Sequence, residues 1–213
     1  MVPIPIPPKI TVNVGTLVDN MDAVGISVDG GAGQDTITFD KTNGGDTGNA
    51  AGSLDSLGNA KIIVTSGEST VSAYDTIVGI NLGVNGADIA DNIDFEGSDV
   101  VSDFSNSTNF GTIATHSLTN GVVSFDDAEN YATALVISSD DLDDVIGYLV
   151  ANTDNNDTVA FTFDNNNDGV AESSMVYHNG AAGKVDSLVL LSDTTVLGLT
   201  TDITEAAGYI QIA

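Results

Sequence analysis

Asp164, Asn166 and Asp168 carry oxygen side chains at every second position, and Gly169 follows where the chain must turn sharply. This is the D-x-[DN]-x-[DN]-G half of a calcium loop, in which a hard cation gathers oxygens from alternate residues. Val170 stands at the position that offers a backbone carbonyl, and Glu172 lies close behind it. A helix-flanked loop of this kind closes with a bidentate Glu at its twelfth residue. Met175 holds that place here, so Glu172 is the substitute ligand. The same residues also suit a polar turn without metal, because Asn, Asp and Gly are ordinary turn formers. The expected cofactor is Ca2+, with Asp164, Asn166, Asp168, Val170 and Glu172 as its ligands.

Strands must position this loop. Val159, Phe161 and Phe163 alternate with Ala160 and Thr162 before it, the period of a half-buried strand, and an apolar run through Met175, Val176 and Tyr177 follows it. A second group of candidates lies at Gly30-Gly31-Ala32-Gly33-Gln34-Asp35-Thr36-Ile37-Thr38, which fits the nonapeptide G-G-x-G-x-D-x-U-x of a parallel β-roll. Its glycines make the turn, Asp35 points toward calcium with Asp29 nearby, and Ile37 enters the core. One copy supplies half a ligand set, so this segment reads as a strand entry with a calcium contact.

Among 213 residues there are 31 acidic and 4 basic ones, for a net charge of −27. Nucleic acid and anionic lipid are excluded as partners, since both are bound through Lys and Arg. Such a charge is self-repelling unless cations neutralise it or a saline medium screens it. Cys is absent, which removes disulfides and thiol chemistry. The start, MVPIPIPPKITVNV, lacks the basic and continuous apolar regions of a secretory leader, and no stretch is long enough to insert in a membrane. The chain is therefore expected in the cytosol, or outside the cell by a route without a cleaved leader.

Pro3, Pro5, Pro7 and Pro8 stiffen residues 1–17 into an extended arm ending in a strand at Lys9–Gly15. The arm from Val2 to Val14 either precedes its own domain passively or pairs with the sheet of a second copy. Residues 18–213 read as a single β-rich domain. Lys41–Asn59 is a polar loop, Ala60–Val64 and Ser69–Ile80 have strand character, and Asn106–Phe125 is a strand pair turned at Asn120-Gly121. Helical spacing predicts short helices over Asp126–Ala134 and Asp140–Ala151, with the acids Asp140, Asp141, Asp143 and Asp144 at the start of the second. The expected fold is mostly β, a β-sandwich or partial β-roll with one or two short helices.

A D-T-I…G-x-D…I-D-F segment in Tyr74–Phe95, taken with the GGxGxD repeat, resembles the C-terminal regions of bacterial type I-secreted surface proteins: RTX adhesins, serralysin-type C-terminal domains and calcium-dependent surface-layer proteins. The resemblance covers pieces of residues 28–40, 74–96 and 159–213, where the loop, Asp186–Leu191 and the apolar terminus are similar to closing strands or an export signal. It departs in lacking a nonapeptide array and the zinc motif H-E-x-x-H. It implies secretion, calcium and a place at the bacterial cell surface.

Catalytic signatures are missing. His116 and His178 have no second His or Cys at ligand spacing, and no G-x-S-x-G elbow or phosphate loop occurs. The chain is expected not to be an enzyme. The reading is a secreted calcium-binding structural protein whose partner is itself, as layer or filament subunit. The alternatives are a monomeric calcium-dependent adhesin or ligand-binding module, and the secretion and folding cap of a larger protein.

Overall fold

The structure is a computed structural model that describes residues 11–13, 26–39, 60–80, 91–95, 97–201 and 209–212. Its first elements are β1 (Thr11–Asn13), β2 (Ile26–Asp29), β3 (Thr36–Thr38), β4 (Ala60–Ile63), β5 (Asp75–Val78) and β6 (Asn92–Asp94). They alternate between two sheets. β1, β3 and β5 run parallel in one, and β2, β4 and β6 run parallel in the other. The chain therefore winds in coils, as a partial β-roll does, and aliphatic residues stack from coil to coil. Ile37 lies beside Ile77, and Val28 beside Ile62 and then Ile93. All five are buried in one core between the sheets.

The second half changes rule. β7 (Asp99–Val100) is followed by the hairpin β8 (Thr115–Thr119) and β9 (Val122–Asp126). Then come α1 (Leu142–Asn152), β10 (Asp157–Phe163), β11 (Ser173–His178), β12 (Ser187–Ser192), β13 (Leu199–Thr201) and β14 (Tyr209–Ile212). The β8–β9 turn is Asn120-Gly121, both at positive φ (51° and 76°), as the primed two-residue turns require. A Cβ on Gly121 would meet Val100 at 2.7 Å, so space as well as φ demands glycine.

Among the described residues the larger sheet orders as β1-β3-β5-β12-β11-β10-β9-β8, with β7 also against β10, and the smaller as β13-β14-β6-β4-β2. The larger sheet is the middle layer. Ala160, Val176, Val189 and Leu191 face the smaller sheet, while Val159, Phe161, Phe163, Met175, Tyr177, Leu188 and Leu190 face α1. The alternation expected in β10 is present. Its second face is covered too, which is why β11 is buried along its whole length. α1 closes that side with Leu142, Val145, Ile146, Tyr148 and Leu149.

One short helix stands where the spacing predicts two. Asp126–Ala134 ends β9 and then forms a loop, because the Asp126 carboxylate accepts N–H groups from Ala128 (3.1 Å), Ala132 (2.6 Å) and Thr133 (2.9 Å). Those groups hold its carboxyl down at about 2. At the start of α1, Asp141 occupies the N-cap position but makes no side-chain cap, since its Oδ2 accepts from Ser138 N–H and Oγ instead.

Of the arm, Thr11–Asn13 pairs with β3 of its own chain; the prolines and the 41–59 loop lie outside the described residues. Tyr209–Ile212, at the apolar terminus, is a strand between β13 and β6. No helix among the described residues is long and apolar enough to cross a membrane.

Candidate metal centre

β10 and β11 pair over six residues, from Thr158 opposite His178 to Phe163 opposite Ser173, and present the loop 164–172 at the end of that ladder. Asp164 N–H donates to the Ile137 carbonyl at 2.8 Å, tying the first ligand position to the segment before α1. The Asp164 side chain is turned inward and is 3% exposed. Its Oδ1 accepts the Asp168 N–H at 3.2 Å and its Oδ2 the Gly169 N–H at 2.7 Å. Burial alone would raise its pKa, but N–H groups of Gly169, Asp168, Asn167 and Asn166 outweigh that and hold the carboxyl below the usual range. To turn these N–H groups inward the chain takes positive φ at Asn167 (63°) and Gly169 (90°).

Two smaller turns are nested inside. Asn166 Oδ1 accepts the Asp168 N–H at 2.9 Å, and Asp168 Oδ1 accepts the Val170 N–H at 2.9 Å. Each is an Asx turn, a side chain bonding the backbone two residues on. The result is that Asp164, Asp168 and Glu172 each place a carboxylate oxygen within 4.8 Å of the others. Two oxygens on one calcium at about 2.4 Å lie no more than about 4.8 Å apart, so this spacing fits a shared ion. Glu172 Oε2 is buried and has no hydrogen-bond donor among the described residues, an arrangement costly for a carboxylate left without a positive partner. The donor set is oxygen only and the loop holds no Lys, which suits a hard cation.

Of the residues singled out in the sequence, the structure brings Asp164, Asp168 and Glu172 together. Asn166 directs its oxygen to the loop backbone, and Val170 is 63% exposed on the loop. Asp29 and Asp35 belong elsewhere. Asp29 Oδ1 accepts the Gly31 N–H at 2.8 Å and shapes the glycine turn. Asp35 is 1% exposed, and its N–H donates to Asp75 Oδ1 at 2.9 Å. Asp75 is itself 4% exposed on the next coil, with its N–H on Ser69 Oγ at 2.7 Å. Burial pushes its carboxyl up to about 6; the Asp35 N–H opposes the rise, and the nearby charges of Asp35 and Glu68 add to it.

Asp75 lies outside the motifs that point to a site, although a signal for it exists. Asp35-Thr36-Ile37 and Asp75-Thr76-Ile77 are the same triplet, and the register lays Thr36 on Thr76 and Ile37 on Ile77. The two histidines are buried in separate places. His116 Nδ1 bonds the Tyr148 hydroxyl, and His178 Nδ1 bonds Thr158 Oγ1, each at 2.9 Å. Burial lowers both, His178 to about 4. Compared with known proteins, the chain matches no family model, no curated protein and no solved structure.

Proposed function

We propose that this chain is a calcium-binding structural protein that works outside the cell and associates with copies of itself as a layer or filament subunit. One observation carries the reading: three carboxylates gathered on one hairpin, one with a buried oxygen that lacks a donor among the described residues. A divalent cation supplies the missing positive partner and stabilises the folded form by mass action. The charge makes self-association depend on cations, since copies at −27 repel until cations neutralise them. Self-association is supported by β1 and β8, which end the larger sheet among the described residues, since an edge strand can accept a further one. The place outside the cell rests on the resemblance to exported surface proteins.

Calorimetric titration of the full chain with calcium tests the site. The parent should bind, and Asp168→Ala should weaken binding by about tenfold or more, the loss of one charged ligand. Equal affinities in the two proteins would remove the loop from consideration. Sedimentation velocity with calcium and with a chelator tests the assembly, and large species should form only with calcium. A single monomer in both conditions would favour the second reading, a monomeric binding module. That reading has its own support, a fixed and exposed polar loop before β8.

A further inference from the structure

Residues 105–109, Ser-Asn-Ser-Thr-Asn, are exposed, yet the loop they begin is clamped from below. The Asn152 amide, on the last turn of α1, accepts the Thr108 N–H at 3.0 Å and donates to the Thr108 carbonyl at 2.8 Å. Asp144 Oδ2 accepts both the N–H and the hydroxyl of Thr112, at 2.8 and 3.1 Å. Phe110 packs so closely on Gly147 that a Cβ there would overlap its ring. A third hydrogen-bonded tie comes from the interior. His116 Nδ1 meets the Tyr148 hydroxyl, which donates to Asn106 Oδ1 at 2.8 Å. One face of α1 is thus given over to holding a solvent-facing loop still. Exposed polar loops are ordinarily mobile, so one held at three points is organised for contact.

The loop forms a wall of a groove of about 570 Å3, lined by Asn106, Ser107, Thr108, Asn109, Ala114, Thr115 and Glu129. Its chemistry narrows the occupant. The volume is far larger than an ion needs and falls in the range of small-molecule sites, about 300–1,000 Å3. Ala114 is the one aliphatic residue among hydroxyls, amides and a carboxylate, a poor match for a lipid tail. No described lining residue is basic, and the chain carries −27, so anions are repelled. Amides, hydroxyls and one carboxylate, each able to donate or accept, match vicinal hydroxyl pairs. We propose that this groove binds a neutral sugar, the hydroxyls of which are read by Asn106, Asn109 and Glu129. The Tyr148 hydroxyl positions Asn106: with Oδ1 engaged, both amide hydrogens remain to donate. The groove shares no residue with the loop 164–172, so the proposal stands or falls apart from calcium and from self-association.

The test is saturation-transfer NMR on the full chain with glucose, galactose, mannose, N-acetylglucosamine and their disaccharides. Each is present at about 10 mM, enough to reveal a millimolar complex, with calcium and with a chelator. At least one sugar should give signal and shift the amides of residues 106–115. Asn109→Ala and Glu129→Gln, whose side chains take no part in the clamp, should each weaken that sugar by about fivefold to tenfold, the worth of one hydrogen bond, with unchanged melting. No signal from any sugar would overturn the proposal. So would shifts confined to another surface, or affinity unchanged in both variants.

Discussion

Asp164 and Asp75 are buried to nearly the same extent, 3% and 4% exposed, and yet their carboxyls move in opposite directions. Asp164 closes an antiparallel hairpin where the backbone turns N–H groups onto its oxygens. Asp75 opens a short parallel strand in the coiled half, where the residue stacked beside it is another aspartate and Glu68 is close. The surrounding architecture differs in the same way. Strands of the coiled half have three or four residues and meet partners far along the chain, whereas β10, β11 and β12 have six or seven and are covered on both faces. Burial alone does not decide whether a carboxylate keeps its charge; the donors that the local turn supplies do.

The sharpest way to break this division of labour is at the hairpin core. Phe161 is 1% exposed and packs edge-on against Phe125, with centroids 5.7 Å apart. Phe161→Ala should lower unfolding free energy by about 3–5 kcal/mol, measured by urea denaturation. A loss under about 1 kcal/mol would show that the coiled half holds the fold without its neighbour. Calcium comes next. At one hundred times its Kd it should add about 2.7 kcal/mol, raising Tm by about 5–10 °C for a chain this long. Asp168→Ala should lack that rise, and a rise of equal size would move the ion to another place.

The coiled half has the opposite sensitivity. Asp75 holds its proton in the folded state up to about 6, against an ordinary value of 3.8. Its contribution is therefore complete below the ordinary value and is lost as pH rises through 6, because the folded state binds the extra proton. Asp75→Asn keeps an oxygen for the Asp35 N–H and cannot ionise. Measured in chelator, it should exceed the parent by about 1–2 kcal/mol at pH 7, less than the full shift because Asp75 is only partly shielded from solvent screening. The two proteins should converge toward pH 4. A constant gap at all pH values would mean that packing, not charge, separates them.

Much of this was legible in the chain. The 164–172 loop and the Asn120-Gly121 turn are local, their geometry fixed by side chains within a few residues, and the sequence shows them directly. The second buried face of β10 is not local: Ala160 is small, and only the arrival of the smaller sheet reveals that its side is covered. Asp126 shows the limit of composition. An acid before a run of small and polar residues suits a helix start, and it suits equally a loop wrapped around its carboxylate. The Asp35–Asp75 contact falls between. The repeated Asp-Thr-Ile is visible, but the strand-to-strand register that makes it a contact depends on the coil that separates the copies.

That coil yields the smallest and most discriminating prediction. Ile37, Ile77 and Leu191 lie in successive register across β3, β5 and β12, each almost wholly buried. Removing one methylene by Ile37→Val should cost about 0.5–1.5 kcal/mol. If the coils hold one another as stacked repeats do, with stability residing in nearest-neighbour contacts, Ile37→Val and Ile77→Val should not add. Their combined loss should differ from the sum of the single losses by at least about 0.5 kcal/mol. The pair Ile37→Val and Leu149→Ala, split between the two cores, should add, since no buried cluster contains both residues. Additivity in both pairs would mean that each coil is held by the middle sheet alone. The ladder would then be a consequence of the register and not a source of stability, and the coiled half would depend wholly on its antiparallel neighbour.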